Sequence, residues 1–195
     1  MKVKASKYLH DIKPILLRLR DRLLEEFPYA SILATDSQAK QYSVSRTATN
    51  IGMVGLWSGR GFVVKVYDGS GYGEYSFNEI SEDQVEEIVA KVKGDLIPMS
   101  GHLPEGVERS VYAMLEDEPL VFADSTEYEI DPAEYGDEKI IRELTRISET
   151  GRAHDERILD CGAFLNYQKY SELFLSRNRD MGQNVLGTAG GFSVL

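Results

Sequence analysis

Residues 51–78 constrain the fold more than any other part of the chain. They set three short β-forming runs around two glycine-bearing turns, Ser58-Gly59-Arg60-Gly61 and Asp68-Gly69-Ser70-Gly71. Asp-Gly between alternating runs is a strong hairpin signal, because glycine takes positive φ without steric cost. The run 61–67 is apolar at Phe62, Val63, Val64 and Val66, the composition of a strand covered on at least one face. A sheet follows from this stretch, and no chemistry does.

Helices flank it. In residues 8–27, Ile15, Leu16, Leu19, Leu23, Leu24 and Phe27 make one apolar stripe, and Arg18, Arg20, Asp21, Arg22 and Glu25 fall opposite. Pro14 is expected in the first turn, where a missing N–H costs nothing, with Asp11 as N-cap. Residues 29–35 read as a strand, Asp36-Ser37-Gln38 as a turn, and 41–49 as a strand with one wet face. Ser81 and Gln84 have capping-box spacing ahead of a helix over 82–92, which Gly94 is expected to close. This order predicts an α+β fold, a two-layer antiparallel sheet with flanking helices, followed by the start of a second α+β domain.

Prolines and glycines crowd residues 95–132, at Pro98, Gly101, Pro104, Gly106, Pro119 and Pro132, and imply a long connection. Residues 112–115 and 120–123 are expected to dock back on the first domain. The expected division is 1–110, a linker over 111–135, and 136–195. In the last part, a helix over 137–149 should stop at Gly151, and β-type runs follow at 157–167, 170–178, 181–186 and 191–195, with Gln168-Lys169 turning the first into the second.

A net charge of -10 and the absence of clustered Lys and Arg argue against a nucleic-acid surface. No stretch reaches the ~20 apolar residues of a membrane span, and the first residues are not followed by a signal-peptide core. The one cysteine, Cys161, excludes an intrachain disulfide, and a cytoplasmic setting is the default expectation.

Candidate chemistry is sparse. His10, His102 and His154 have no histidine partner one helical turn away, as a zincin motif requires. Cys161 sits in a β-type run, where a buried small thiol is the plainer reading than a nucleophile. Gly52-Met-Val-Gly55 and Gly69-Ser-Gly-Tyr-Gly73 lie between strands instead of opening a helix, so they read as turns and not phosphate loops. Trp57, Tyr42, Tyr67, Tyr72 and Tyr75 read as packing and cross-strand pairs, and Glu25-Glu26 and Glu86-Glu87 as solvated helix faces. No catalytic or metal residue is assigned, and substrate-binding residues stay unassigned.

The order of parts nonetheless resembles a family. Gly-Phe-Val-Val-Lys-Val-Tyr-Asp-Gly-Ser-Gly-Tyr-Gly over 61–73, then Asn78-Glu-Ile-Ser-Glu-Asp-Gln, a helix and a linker, is similar to the N-terminal domain of the TldD/PmbA family. Its members were once called modulators of DNA gyrase and are now read as zinc metallopeptidases. Val63-Val64-Lys65-Val66 stands for the family's Val-Arg run, and Tyr72-Gly73-Glu74-Tyr75-Ser76 for its Gly-Phe-Ala run. Phe174-Leu-Ser-Arg-Asn178 resembles the strand that ends in Asn-Ser-x-Gly, but lacks the glycine.

The resemblance implies an N-terminal, non-catalytic portion serving subunit association and peptide access. Its implied partners are a family member, as homo- or hetero-dimer, and unfolded peptide, with neither nucleic acid nor membrane. It implies zinc for the full-length protein and none in this chain. The family's His-Glu-x-x-x-His motif has no counterpart in these residues. In the complete protein, zinc-activated water would attack a peptide carbonyl with the motif's glutamate as base. The alternative is a stand-alone binding or scaffold protein, and a small-molecule enzyme using Cys161 comes third.

Overall fold

The computed structural model describes residues 1–54, 58–96 and 110–195, so Gly55, Trp57, Pro98, Gly101, His102, Pro104 and Gly106 lie outside the described residues. The elements run α1 (Lys7–Glu26), β1 (Tyr29–Val44), β2 (Thr49–Met53), β3 (Gly59–Tyr67), β4 (Tyr72–Phe77), a 3₁₀ turn (Glu82–Gln84), α2 (Val85–Leu96), β5 (Leu120–Ser125), α3 (Pro132–Tyr135), α4 (Asp137–Ala153), β6 (Cys161–Leu175) and β7 (Arg179–Val194). Among the described residues the strands form one seven-stranded sheet in the order β4-β3-β1-β6-β7-β5, with β2 also on β1. Every pairing is antiparallel except β5 with β7. The fold is α+β, as the grouping of elements predicts.

The helices cover one face. Leu9, Ile12, Leu16, Leu19 and Leu23 recur at intervals of three and four along α1 and are buried. They pack with Val85, Ile88, Val89 and Val92 of α2 against Ala30, Ile32 and Ala34 of β1 and Phe62, Val64 and Val66 of β3. A second cluster joins Ile140 and Leu144 of α4 to Tyr42, Val44, Ala163 and Tyr167. Side chains alternate along a strand, and all the β1 members of both clusters are even-numbered, so both lie on the same side of the sheet.

Several local expectations give way to the ladder. Asp36-Ser37-Gln38 continues β1 instead of turning, because Asp36 is flanked by Arg60 of β3 and Ser171 of β6. Arg60 Nε also donates to Asp36 at 3.1 Å, and Ser6 Oγ at 2.5 Å, which satisfies the carboxylate inside the sheet. Gln168-Lys169 likewise runs straight through β6, with Gln168 Nε2 donating to Ser37 Oγ at 2.8 Å and Lys169 ion-paired to buried Asp131. The runs 181–186 and 191–195 belong to one strand, β7. Turn-forming residues cannot compete where both backbone edges are already paired.

The helix ends differ from expectation too. Ser6, not Asp11, caps α1, accepting from the Leu9 N–H at 3.2 Å, and Pro14 lies inside the helix. Pro14 and His10 are both exposed, so the His10 carbonyl left without its N–H partner faces water. Ser81 makes no capping bond to a backbone N–H; its hydroxyl meets Asp83 and Gln84 side chains, and the first turn tightens to 3₁₀. Gly94 falls within α2. Glu26 and Glu86 are not merely solvated: they pair with Lys93 and Arg22, tying α1 to α2, and Arg18 pairs with Glu82 of the 3₁₀ turn. Tyr112 docks on the β3–β4 hairpin, its N–H on Ser70 O at 2.9 Å and its carbonyl accepting from the Tyr67 hydroxyl at 2.6 Å. Residues 120–123 instead pair with β7 as β5.

Gly151 does not stop α4, which continues to Ala153. Its role is close approach: a Cβ there would lie 2.4 Å from Cys161 Sγ, so glycine lets the helix sit on β6. The other end of α4 is fixed by Asp137, which accepts from Lys40 Nζ at 2.6 and 2.7 Å and from the buried Tyr42 hydroxyl at 2.8 Å. Burial raises the Tyr42 pKa, and its bond to Asp137 raises it further. The bonds from Lys40 and then Tyr42 hold the Asp137 carboxyl below its usual range.

Gly151→Ala is expected to lose roughly 1–3 kcal/mol in urea unfolding, the usual range for an overpacked contact. Adding Cys161→Ala should return part of that loss, a coupling that the double-mutant cycle reads directly. The low pKa of Asp137 contributes stability that is present above the unfolded value of about 3.9 and is lost as pH falls through the folded value below it. Asp137→Asn should therefore lower the urea midpoint at pH 7 and flatten its acid dependence, the gap to wild type closing as the pH drops well below 4.

Candidate interaction surface

Among the described residues no compact reaction centre emerges from the side chains. His10 is exposed on α1, its Nδ1 3.5 Å from Asp11, and His154 is exposed at the end of α4. Cys161 is 1% exposed, sealed beneath Gly151. A zinc site needs three or four such ligands converging within about 2.3 Å of one point. Among the described residues no group of three or more His, Cys, Asp or Glu is so placed, and the residues present do not fit zinc. The glycine-bearing segment 68–71 is the tight link between β3 and β4: Gly69 has φ +100°, and Asp68 Oδ1 accepts from the N–H groups of Ser70 and Gly71 at 2.8 Å. The aromatics are packing groups. Tyr42 stacks on Tyr167 at 6.2 Å, and Tyr67 and Tyr72 meet at 4.9 Å.

Surfaces offer more than side-chain clusters do. The sheet face opposite the helices carries the odd-numbered residues of β1 and the even-numbered residues of β6, so Leu33, Thr35, Ser37, Gln168, Tyr170, Glu172 and Phe174 line it. Tyr170 donates to Glu172, which also accepts from Gln183 Nε2. Burial raises the Tyr170 pKa, and Glu172 adds to it. This floor mixes hydroxyls, amides and isolated apolar side chains, without a reactive pair.

Two cavities border the sheet on its other side or end. Between the start of α1 and β1–β3 lies a polar hollow of about 500 Å³ containing Arg60, Asp36, Gln38, Asn78 and Glu79. The Arg60 guanidinium stacks 3.9 Å over Tyr8 while bonding to Asp36, so its charge already ties α1 to the sheet. Beside α4 is an apolar cavity of about 490 Å³ lined by Ile130, Tyr135, Leu144, Ile147, Leu165 and Phe192. Its rim is the edge of β7, where Phe192 is 67% exposed.

That edge is the feature the sequence reading missed. β5 pairs with Arg179–Asn184 only, and beyond it β7 has β6 as its one strand partner among the described residues. The missed signal is a run without charge: from Met181 to Leu195 there is no Asp, Glu, Lys or Arg. Gly191 faces Phe164 across the ladder, the ring standing 3.1 Å from where a Cβ would be. A bulky aromatic thus covers the glycine gap and keeps the strand in place.

Comparison with known proteins bears on the fold. No family model matches the chain, and no curated protein matches it. Solved structures do. A "putative modulator of DNA gyrase" from Bacteroides thetaiotaomicron VPI-5482 superposes with TM-score 0.60 at 16% identity, over 94% of this chain and 40% of that one. TldE from Thermococcus kodakarensis gives 0.54 at 14% identity, over 90% of this chain and 37% of that one. A protein described in the same words as the first, from Thermotoga maritima MSB8, gives 0.50 at 12% identity, over 90% and 38%. This chain therefore spans well under half the length of these proteins, and nearly all of it shares the fold of that part.

Proposed function

We propose that this chain is the non-catalytic N-terminal portion of a TldD/TldE-like zinc metallopeptidase, serving subunit association and access of unfolded peptide. The observation that carries the reading is the coverage: 94% of this chain aligns with 40% of a structure more than twice its length. The residue pattern over 61–78 supports the same family. The division into 1–110, a linker over 111–135 and 136–195 stays part of this reading; each buried cluster draws residues from both parts, and one sheet runs through both.

Within this reading the sheet supplies the working surfaces. An extended peptide needs backbone partners and sequence-tolerant side-chain contacts, and an unpaired strand edge or a polar open face provides them. Among the described residues no helix is long and apolar enough to cross a membrane, and the proposed setting is the cytoplasm. The proposed partners are a family member, in a homo- or hetero-dimer, and unfolded peptide.

The coding sequence beyond Leu195 tests the reading. It is expected to continue in frame to a His-Glu-x-x-x-His segment, and the longer product should cleave unfolded peptides and lose that activity on chelation with EDTA. A stop codon after Leu195, together with a chain that binds partners and is indifferent to chelators, would establish the stand-alone binding protein instead.

A further inference from the structure

The tyrosines beside the β3–β4 turn pack through their rings, but their hydroxyls have a separate use. Tyr67 and Tyr72 close the β3–β4 ladder as its last opposed pair. Phe62, Val64 and Val66 of β3 face the helices, so Tyr67 and its partner Tyr72 stand on the opposite face. Their rings meet at 4.9 Å, Tyr29 packs edge-on to Tyr72 at 6.3 Å, and Lys65 Nζ lies 5.8 Å from the centre of the Tyr72 ring. This bracing fixes where the two hydroxyls stand, so little ordering is left to be done when a partner meets them.

Residues 110–118 cross these hydroxyls and are held there by their main chain. They belong to no helix or strand, so their N–H and C=O groups need partners from outside the segment. The Tyr112 N–H donates to Ser70 O at 2.9 Å, and Tyr112 O accepts from the Tyr67 hydroxyl at 2.6 Å. Ala113 O accepts from the Tyr72 hydroxyl at 3.2 Å, and the Leu115 N–H donates to that same hydroxyl oxygen. A turn carbonyl and two hydroxyls thus read four main-chain groups, and no side chain of the segment takes part in these bonds. Val111, Tyr112, Met114 and Leu115 stay 73, 62, 51 and 46% exposed. Asp117 fastens the far end. Its carboxylate accepts from Ser176 Oγ and from the Asn178 N–H at 3.3 Å, and its carbonyl accepts from Asn178 Nδ2 at 2.8 Å. Of residues 111–119 all but Asp117 are exposed, and a segment that buries so little opens locally at low cost.

We propose that Tyr67, Ser70 and Tyr72 form a cradle that reads peptide main chain, filled in this structure by residues 112–115 and given over to unfolded peptide when the Asp117 latch opens. This rests on the reading that the chain gives access to unfolded peptide, and names where that peptide lies. The seated segment shows the chemistry of the occupant. The cradle takes two N–H groups and two carbonyls, which any peptide without proline at those two N–H positions presents, so it accepts many sequences. A peptide competing for it must first displace the chain's own segment. Its apparent affinity is therefore reduced by the fraction of molecules in which the cradle stands open, and Asp117 sets that fraction.

The test is fluorescence anisotropy with two fluorescein-labelled peptides, one of sequence 110–118 and one with that sequence shuffled. Both are expected to bind with dissociation constants within about three-fold of each other, because the main chain is what is read. Asp117→Asn weakens the latch and leaves the cradle whole, and should tighten both by about ten-fold. Adding Tyr67→Phe and Tyr72→Phe keeps the rings, and should cancel that gain while the circular dichroism melt is retained. N-methylation of the Tyr112 and Leu115 amides in the first peptide leaves the protein untouched, and should weaken binding by about ten-fold or more. At saturating peptide, the chain's own Tyr112 and Leu115 amides should exchange with solvent about ten-fold faster. Binding that ignores both the hydroxyls and the N-methyl groups puts the peptide elsewhere, which overturns the cradle and leaves peptide access standing. A shuffled peptide that binds more than about ten-fold weaker than the first shows side-chain reading and overturns the proposal. Absence of binding to the Asp117→Asn chain overturns it as well, while peptide cleavage by the longer product decides the wider reading separately.

Discussion

The antiparallel ladder between β1 and β6 holds the molecule together. It runs in constant register from Ile32 opposite Leu175 to Val44 opposite Ala163, joining residues more than a hundred positions apart. On its other edge β1 is paired with β3 and then β2, so its backbone groups are satisfied on both sides. Both buried clusters hang from this strand, one under α1 and α2 and the other under α4. A slip of one residue would move Ile32, Tyr42 and Val44 to the open face together, so the apolar pattern fixes the register.

The helices are fastened to this sheet by different means. α1 and α2 rely on interdigitated leucine, isoleucine and valine, reinforced by ion pairs between their exposed faces that add little in water. α4 has a smaller apolar contact and depends on two special positions, Gly151 against Cys161 and Asp137 against Lys40 and Tyr42. A buried tyrosine hydroxyl must have a partner, and Asp137, the first residue of α4, supplies it. Cys161 is accordingly a packing residue whose small size lets α4 approach.

What the sheet leaves exposed is as informative as what it buries. One face is clothed in helices; the other is a floor of hydroxyls, amides and scattered apolar groups, and one long edge carries no charge. The likeness to much longer solved proteins, of which this chain spans 40% or less, is a likeness of fold.

The sequence by itself determined the class of fold, the hairpin of β3 and β4, the apolar stripes of α1, α2 and α4, and the packing role of the tyrosines. These depend on residues near one another in the chain: Asp68-Gly69 makes a turn, and leucines at intervals of three and four make a stripe, whatever lies elsewhere. Only the tertiary structure decided that Asp36-Ser37-Gln38 and Gln168-Lys169 are strand interiors, that Pro14 is tolerated within α1, and that Gly151 is a contact instead of a stop. Each of these turns on a partner far away in sequence: Arg60 and Ser171 for Asp36, Asp131 for Lys169, water for the carbonyl that Pro14 frees, and Cys161 for Gly151. The edge of β7 past Leu186, without a strand partner among the described residues, belongs to the same group. Its neutrality is written in residues 181–195, but whether a strand edge is open is a fact about its neighbours, which no local pattern records.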